Sequence, residues 1–123
     1  MGFNSKYNIS TELEFQPLEL INIPDLIASC QDDWKNISLC QVNDCVVRLG
    51  IIKGEFHWHK HNKEDEFFYV VSGLLYIDLE DKTVQLQQQQ GFLVPKGIRH
   101  RTRAPEQTAI IMIEGSSVTP TGD

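Results

Sequence analysis

Three histidines at two-residue intervals, His57, His59 and His61, restrict the fold of this chain more than any other feature. Side chains at i, i+2 and i+4 leave an extended strand on the same face. A strand through this segment therefore presents three imidazoles to one side. Imidazole is bulky and half polar, and burying it without partners is unfavourable. A metal ion removes that difficulty by satisfying one nitrogen on each ring. The remaining histidine, His100, lies in a second short segment.

The surrounding sequence supplies the strands that such a site needs. Asn43-Asp44 reads as a tight turn between extended runs at Ser38–Val42 and Cys45–Ile52. Glu66–Val71 is rich in aromatic and β-branched residues and stops at Ser72-Gly73. Leu74–Leu79 follows, and Asp81-Lys82 turns it into Thr83–Leu86. Phe92–Val94 ends at the Pro95-Lys96-Gly97 corner, and Thr108–Ile113 is the last strand. Short, mostly antiparallel strands at this spacing predict an all-β closed barrel or two-sheet jelly roll. Ile23–Ser29, with Pro24 in its first turn, predicts one short N-terminal helix. Gln85–Gln90, with five glutamines, reads as a solvated edge or loop.

A carboxylate completes the histidine set. Glu66 lies five residues after His61, the wrong parity for an uninterrupted strand. The polar Asn62–Asp65 stretch serves as a loop or bulge, after which Glu66, Phe68 and Val70 can turn inward together. Two imidazoles and a carboxylate give the facial arrangement of open transition-metal sites. His100, just past the Pro95–Gly97 corner, is the expected fourth ligand. Asp65 competes with Glu66, but as a loop acid its ordinary role is to hydrogen-bond the turn.

These residues resemble two motifs of the cupin family. His59-x-His61, four residues, Glu66, six residues, Gly73 is similar to the first, and Pro95-x-Gly97-x2-His100 to the second. The likeness spans about residues 45 to 115. The pattern differs at turns and edges: Gly54 stands five rather than six residues before His59, position 89 is glutamine, and position 104 is alanine. The resemblance implies a double-stranded β-helix barrel over residues 37–115; residues 1–36 then form an extension with the short helix, and 116–123, made of Ser, Thr, Pro, Gly and Asp plus one Val, read as a flexible tail. It implies one divalent transition metal (zinc, iron, manganese or nickel) held by His59, His61, Glu66 and His100. His57 falls outside the motif and is expected beside the ligands or lining the pocket.

What such a site acts on is less constrained. A small oxygenated metabolite (sugar, enediol or organic acid) suits an open metal position, handled by an isomerase, dioxygenase or decarboxylase. A non-catalytic metal or ligand-binding module, for sensing or storage, needs nothing beyond the four ligands. Catalysis would also need an acid or base, for which His57, Tyr69, Tyr76 and Asp78 are candidates. If His100 faces inward, Arg99, Arg101 and Arg103 face outward. Those arginines need acidic company, and with the extended segments before Cys45 they point to a homodimer. A formal charge of −6 argues against nucleic-acid binding, and no apolar run is long enough to span a membrane. Three cysteines in no zinc-like pattern are expected to be reduced and mostly buried, which with an N-terminus unlike a secretory signal predicts the cytoplasm.

Overall fold

A computed structural model describes residues 7–122; the polar stretch 1–6 and Asp123, the last residue of the expected tail, lie outside them. The elements in chain order are β1 (Asn8–Leu13), α1 (Ile23–Ser29), β2 (Trp34–Val42), β3 (Cys45–Glu55), β4 (Glu66–Ser72), β5 (Leu75–Leu79), β6 (Thr83–Leu86), β7 (Gly91–Val94) and β8 (His100–Gly115). The main sheet path runs β1-β2-β3-β8-β4-β7, and β5 joins it through β8 while pairing β6 on its other side. All pairings are antiparallel except β1 with β2. This is the expected all-β jelly roll.

Strand β8 holds the barrel together, and it is much longer than the expected Thr108–Ile113 run. It pairs β3 along its length, β5 through its first residues and β4 through its last. Pro105 hid the join in the sequence. It falls where the β3–β8 register shifts, between the pairs Gly54↔Ala104 and Ile52↔Thr108. A bulge tolerates the amide hydrogen that proline lacks. Strand β1, with only two apolar residues in six, was also hidden.

Alternation along the strands builds two apolar layers. Trp34, Ile52, Phe68, Val70, Leu75, Ile77, Ile110 and Met112 fill the barrel interior. The opposite face of β2 and β3 carries Ile37, Leu39, Leu49 and Ile51, covered by Phe15, Ile21, Ile23, Leu26 and Ile27 from the N-terminal segment. The covering residues are themselves only partly buried, but they keep this second apolar layer from water, so the N-terminal segment is part of the fold. Helix α1 forms where expected, capped by the Asn22 side chain, which accepts from the Asp25 N–H at 3.1 Å. Gln87–Gln90 is exposed, as expected of a solvated loop. The cysteines are all free, but Cys45 is exposed and Cys30 and Cys40 only half-buried, unlike the mostly buried set expected.

Candidate metal centre

Two irregular segments meet at the inner mouth of the barrel. The chain leaves β3 at Glu55 and runs without regular strand pairing to Glu66, bonding β8 at Phe56, whose N–H donates to the Thr102 carbonyl at 3.0 Å, and through a bridge at His59. In that bridge the His59 N–H donates to the His100 carbonyl at 2.9 Å, and the His100 N–H returns to His59 at 2.8 Å. The Gly97 N–H donates to the His61 carbonyl at 2.8 Å, and the Lys96 N–H to Asp65 Oδ1 at 3.0 Å. Asp65 thus holds the turn, and Glu66 opens β4 with its side chain inward. Phe68 and Val70 follow on the same face.

The expected run of three imidazoles on one face is corrected, because residues 57–61 are not one continuous strand. His59 and His61 converge with Glu66 and His100, one potential ligand atom from each lying within 4.8 Å of the others. His57 turns away. Its ring lies against Phe56, and its Nε2–H donates to the Thr121 carbonyl at 2.7 Å.

Polar satisfaction shows what the cluster lacks. The Nδ1–H of His59 donates to the His57 carbonyl at 3.0 Å, and that of His100 to the Ile98 carbonyl at 2.9 Å. Each ring is thereby oriented with its Nε2 lone pair free, as in metal-bound histidines. Both His61 Nε2 and His100 Nε2 stand 3.4 Å from Glu66 Oε1, too far for well-formed hydrogen bonds. All three atoms, with His61 Nδ1, are buried without a hydrogen-bond partner among the described residues. Such groups are destabilising unless something else satisfies them.

Electrostatics point the same way. Burial chiefly, with His100 and His61 nearby, pushes His59 down to about 4 against the opposing pull of the His57 carbonyl. Its imidazole is therefore neutral near pH 7, the form that ligates. Burial alone would raise Glu66. The His100 and His61 rings and Glu114 outweigh it and hold Glu66 well below the ordinary carboxylate range.

Two buried residues of the interior were not foreseen. Glu114 is the Cα partner of Glu66 across β4 and β8, and burial followed by the Glu66 charge pushes it up to about 9. Arg48 projects from the inner face of β3, where its guanidinium donates to Asn36 Oδ1 at 2.9 Å, to Ser38 Oγ and to the Ser10 carbonyl. Burial lowers Arg48, and the Glu114 and Glu66 carboxyls oppose that. The inward parity of Ile110, Met112 and Glu114 would have found Glu114, had β8 been traced to its end.

The acid–base candidates fare differently. Tyr69 and Tyr76 alternate with the buried Phe68, Val70, Leu75 and Ile77, and so leave the opposite face. Asp78 is corrected as well: it is held by Arg101 Nε at 2.8 Å and Arg103 Nε at 2.7 Å on the barrel exterior. The three arginines face outward as expected, with Arg99 and Arg101 over Trp58 and Arg103 over Tyr76.

The sequence profile of the cupin domain matches residues 47–114, more than half the chain and all four clustered residues. The chain belongs to the cupin family. The uncharacterised protein YdbB of Bacillus subtilis is 44% identical over 94 residues, covering 76% of this chain and 83% of its own. The crystal structure of a cupin-2 domain containing protein from Shewanella frigidimarina superposes with a TM-score of 0.74 at 33% identity, covering 78% of this cupin and 94% of that chain. Protein NMB1881 from Neisseria meningitidis, at 23% identity and a TM-score of 0.69, covers 79% and 99% and shares the fold. The His/Glu cluster of this cupin suits a single metal ion.

Proposed function

We propose that this cupin holds one divalent transition metal through His59, His61, Glu66 and His100, and uses it to bind or convert a small oxygenated metabolite. The carrying observation is the group of buried, unpartnered atoms on His61, Glu66 and His100, arranged within ligand distance of one another. Zinc, iron, manganese and nickel all accept such a donor set. When bound, the ion supplies Lewis-acid polarisation of a ligand oxygen. The chain's own contribution is to orient the rings through the His57 and Ile98 carbonyls and to surround the site with Phe56, Phe68, Ile110 and Met112.

The second reading, a non-catalytic metal or ligand-binding module, is favoured by the outward placement of Tyr69, Tyr76 and Asp78. Glu114 lines the same cavity and is the interior acid–base group on which the enzymatic reading depends. Elemental analysis of protein purified without chelator or nickel resin tests the metal; about one ion per chain is expected, and none after reconstitution overturns it. Thermal-shift screening of sugars and organic acids on the metal-loaded form, followed by assay for product, separates the two readings.

A cytoplasmic homodimer is proposed alongside. Arg101 and Arg103 find Asp78 within the chain and the N-terminal segment covers its own sheet, so neither calls for a partner. What favours pairing is an outward apolar row in register across three strands, Leu93, Phe67 and Ile113, each at least a third exposed. Light scattering is expected to report twice the 14.1 kDa chain mass. A monomer at all concentrations overturns it. No helix among the described residues is long and apolar enough to cross a membrane.

A further inference from the structure

We propose that residues 116–122 form a strap, latched by His57, that closes the mouth of the barrel and controls access to the metal site. The inference rests on the metal reading above.

Its composition reads as a loose tail, yet beyond Ser116, whose N–H donates to the Asp44 carbonyl at 2.9 Å, it lies against residues beside the ligands. Ser117 Oγ donates to Glu64 Oε2 at 3.0 Å. Pro120 lines the cavity above His59 and Glu66. His57 Nε2–H holds the Thr121 carbonyl at 2.7 Å. Gly122 crosses directly over His59: with φ at +96°, a Cβ there would stand 2.5 Å from the His59 Cβ. Close approach over the ligand thus requires glycine at this position. His59, the one member of the cluster that is not fully buried, is the member the strap covers.

The consequence for ligands is steric. Beneath the strap, the centres of water-sized molecules have only about 30 Å³. With the strap in place, this interior space holds one or two waters, too little for a sugar or organic acid. A larger ligand enters only when Thr121 leaves His57. Its distal end is held to His57 by a single hydrogen bond plus van der Waals contact, weak enough to open while the Ser117–Glu64 bond keeps the base of the strap in place. It also gives His57, which stands outside the cupin motif, a role.

The test compares wild type with a deletion of residues 116–123 and with Gly122→Ala. The deletion stops after β8 and removes no barrel strand. Gly122→Ala forces the strap off His59 in the full chain and serves if the deletion fails to fold. Cobalt-loaded protein is mixed with excess EDTA and metal loss is followed by absorbance. Removal is expected to be roughly tenfold faster in the deletion and a few-fold faster in Gly122→Ala. Equal rates, with one cobalt bound to each protein, overturn the strap and leave the metal reading standing. If no form binds cobalt, the metal reading fails, and the strap is decided on metal-free protein by diethyl pyrocarbonate labelling of His57 and His59. Faster labelling in both variants supports the strap, and unchanged labelling overturns it.

Discussion

Glu66 and Glu114 stand directly opposite each other on β4 and β8, both buried and both inside the barrel. Two carboxylates so placed cannot readily ionise together, and burial with the Glu66 charge raises Glu114 while Glu66 is held low. A neutral Glu114 can donate to Glu66, and it stands outside the proposed ligand set. Glu114→Gln retains a neutral N–H donor, so it is expected to fold and to bind one metal per chain. Glu114→Ala, which removes the donor, is expected to lower metal-free stability by about 1–2 kcal/mol. Isothermal titration with the metal and urea unfolding check both points. Loss of metal in Glu114→Gln would place Glu114 among the ligands.

The proposed ligand set separates His57 from its neighbours. His61→Ala or His100→Ala is expected to abolish stoichiometric metal binding and the stabilisation that metal confers on the folded state. His57→Ala is expected to keep one metal per chain, since its ring points at Thr121. Metal content after gel filtration decides it. A metal-free His57→Ala protein would mean that the wrong pair in the 57–61 run was assigned.

That separation bears on what the sequence could reveal. Period-two spacing identified the histidine cluster but put all three rings on one face, because it assumed a strand where the chain is irregular. The motif spacing picked out His59 and His61, the two rings of the run that lie with Glu66 and His100, since it encodes the intervening loop as well. Glu66 was legible through the polar Asn62–Asp65 break. Arg48 and Glu114 were not singled out, because a charged residue on a strand reads as solvent-facing until the strand's neighbours are known. Strand β1 and the first half of β8 were obscured by polar residues and Pro105, whose pairing depends on distant partners rather than on local pattern.

Asp78 provides a pH test away from the cluster. The Arg103 hydrogen bond first, then Thr83 and Arg101, outweigh burial and hold its carboxyl well below the usual range. A depressed folded-state pKa means a stabilising contribution present above the unfolded value, near 4, and lost as pH falls through the folded one. Arg101 and Arg103 are each about 30% exposed, so the contribution is discounted to about 1 kcal/mol. Asp78→Asn is expected to be less stable than wild type at pH 7, the gap narrowing steadily below about pH 4. Urea midpoints from pH 3 to 8 check this, and a gap that widens on acidification refutes it.

Gly73 tests the turn between β4 and β5, where the barrel interior is set. Its φ is +98°, and an added Cβ would lie 2.5 Å from Thr108 Oγ1 and 2.9 Å from the Thr108 Cα. The first atom could rotate away, but the second is backbone. Moving Thr108 Oγ1 would also break its bond with the Leu74 N–H, 3.1 Å long, and its donation to the Leu74 or Glu106 carbonyl. Strain and lost hydrogen bonds act in the same direction, so Gly73→Ala is expected to destabilise by about 2–4 kcal/mol. Gly73 lies beyond the end of β4 opposite to Glu66, and metal stoichiometry in the folded fraction should therefore remain one. Denaturant unfolding gives the first quantity and metal analysis the second. A Gly73→Ala protein as stable as wild type would show that the turn relaxes without Thr108, and that the tight β4–β5 connection is not what fixes the barrel here.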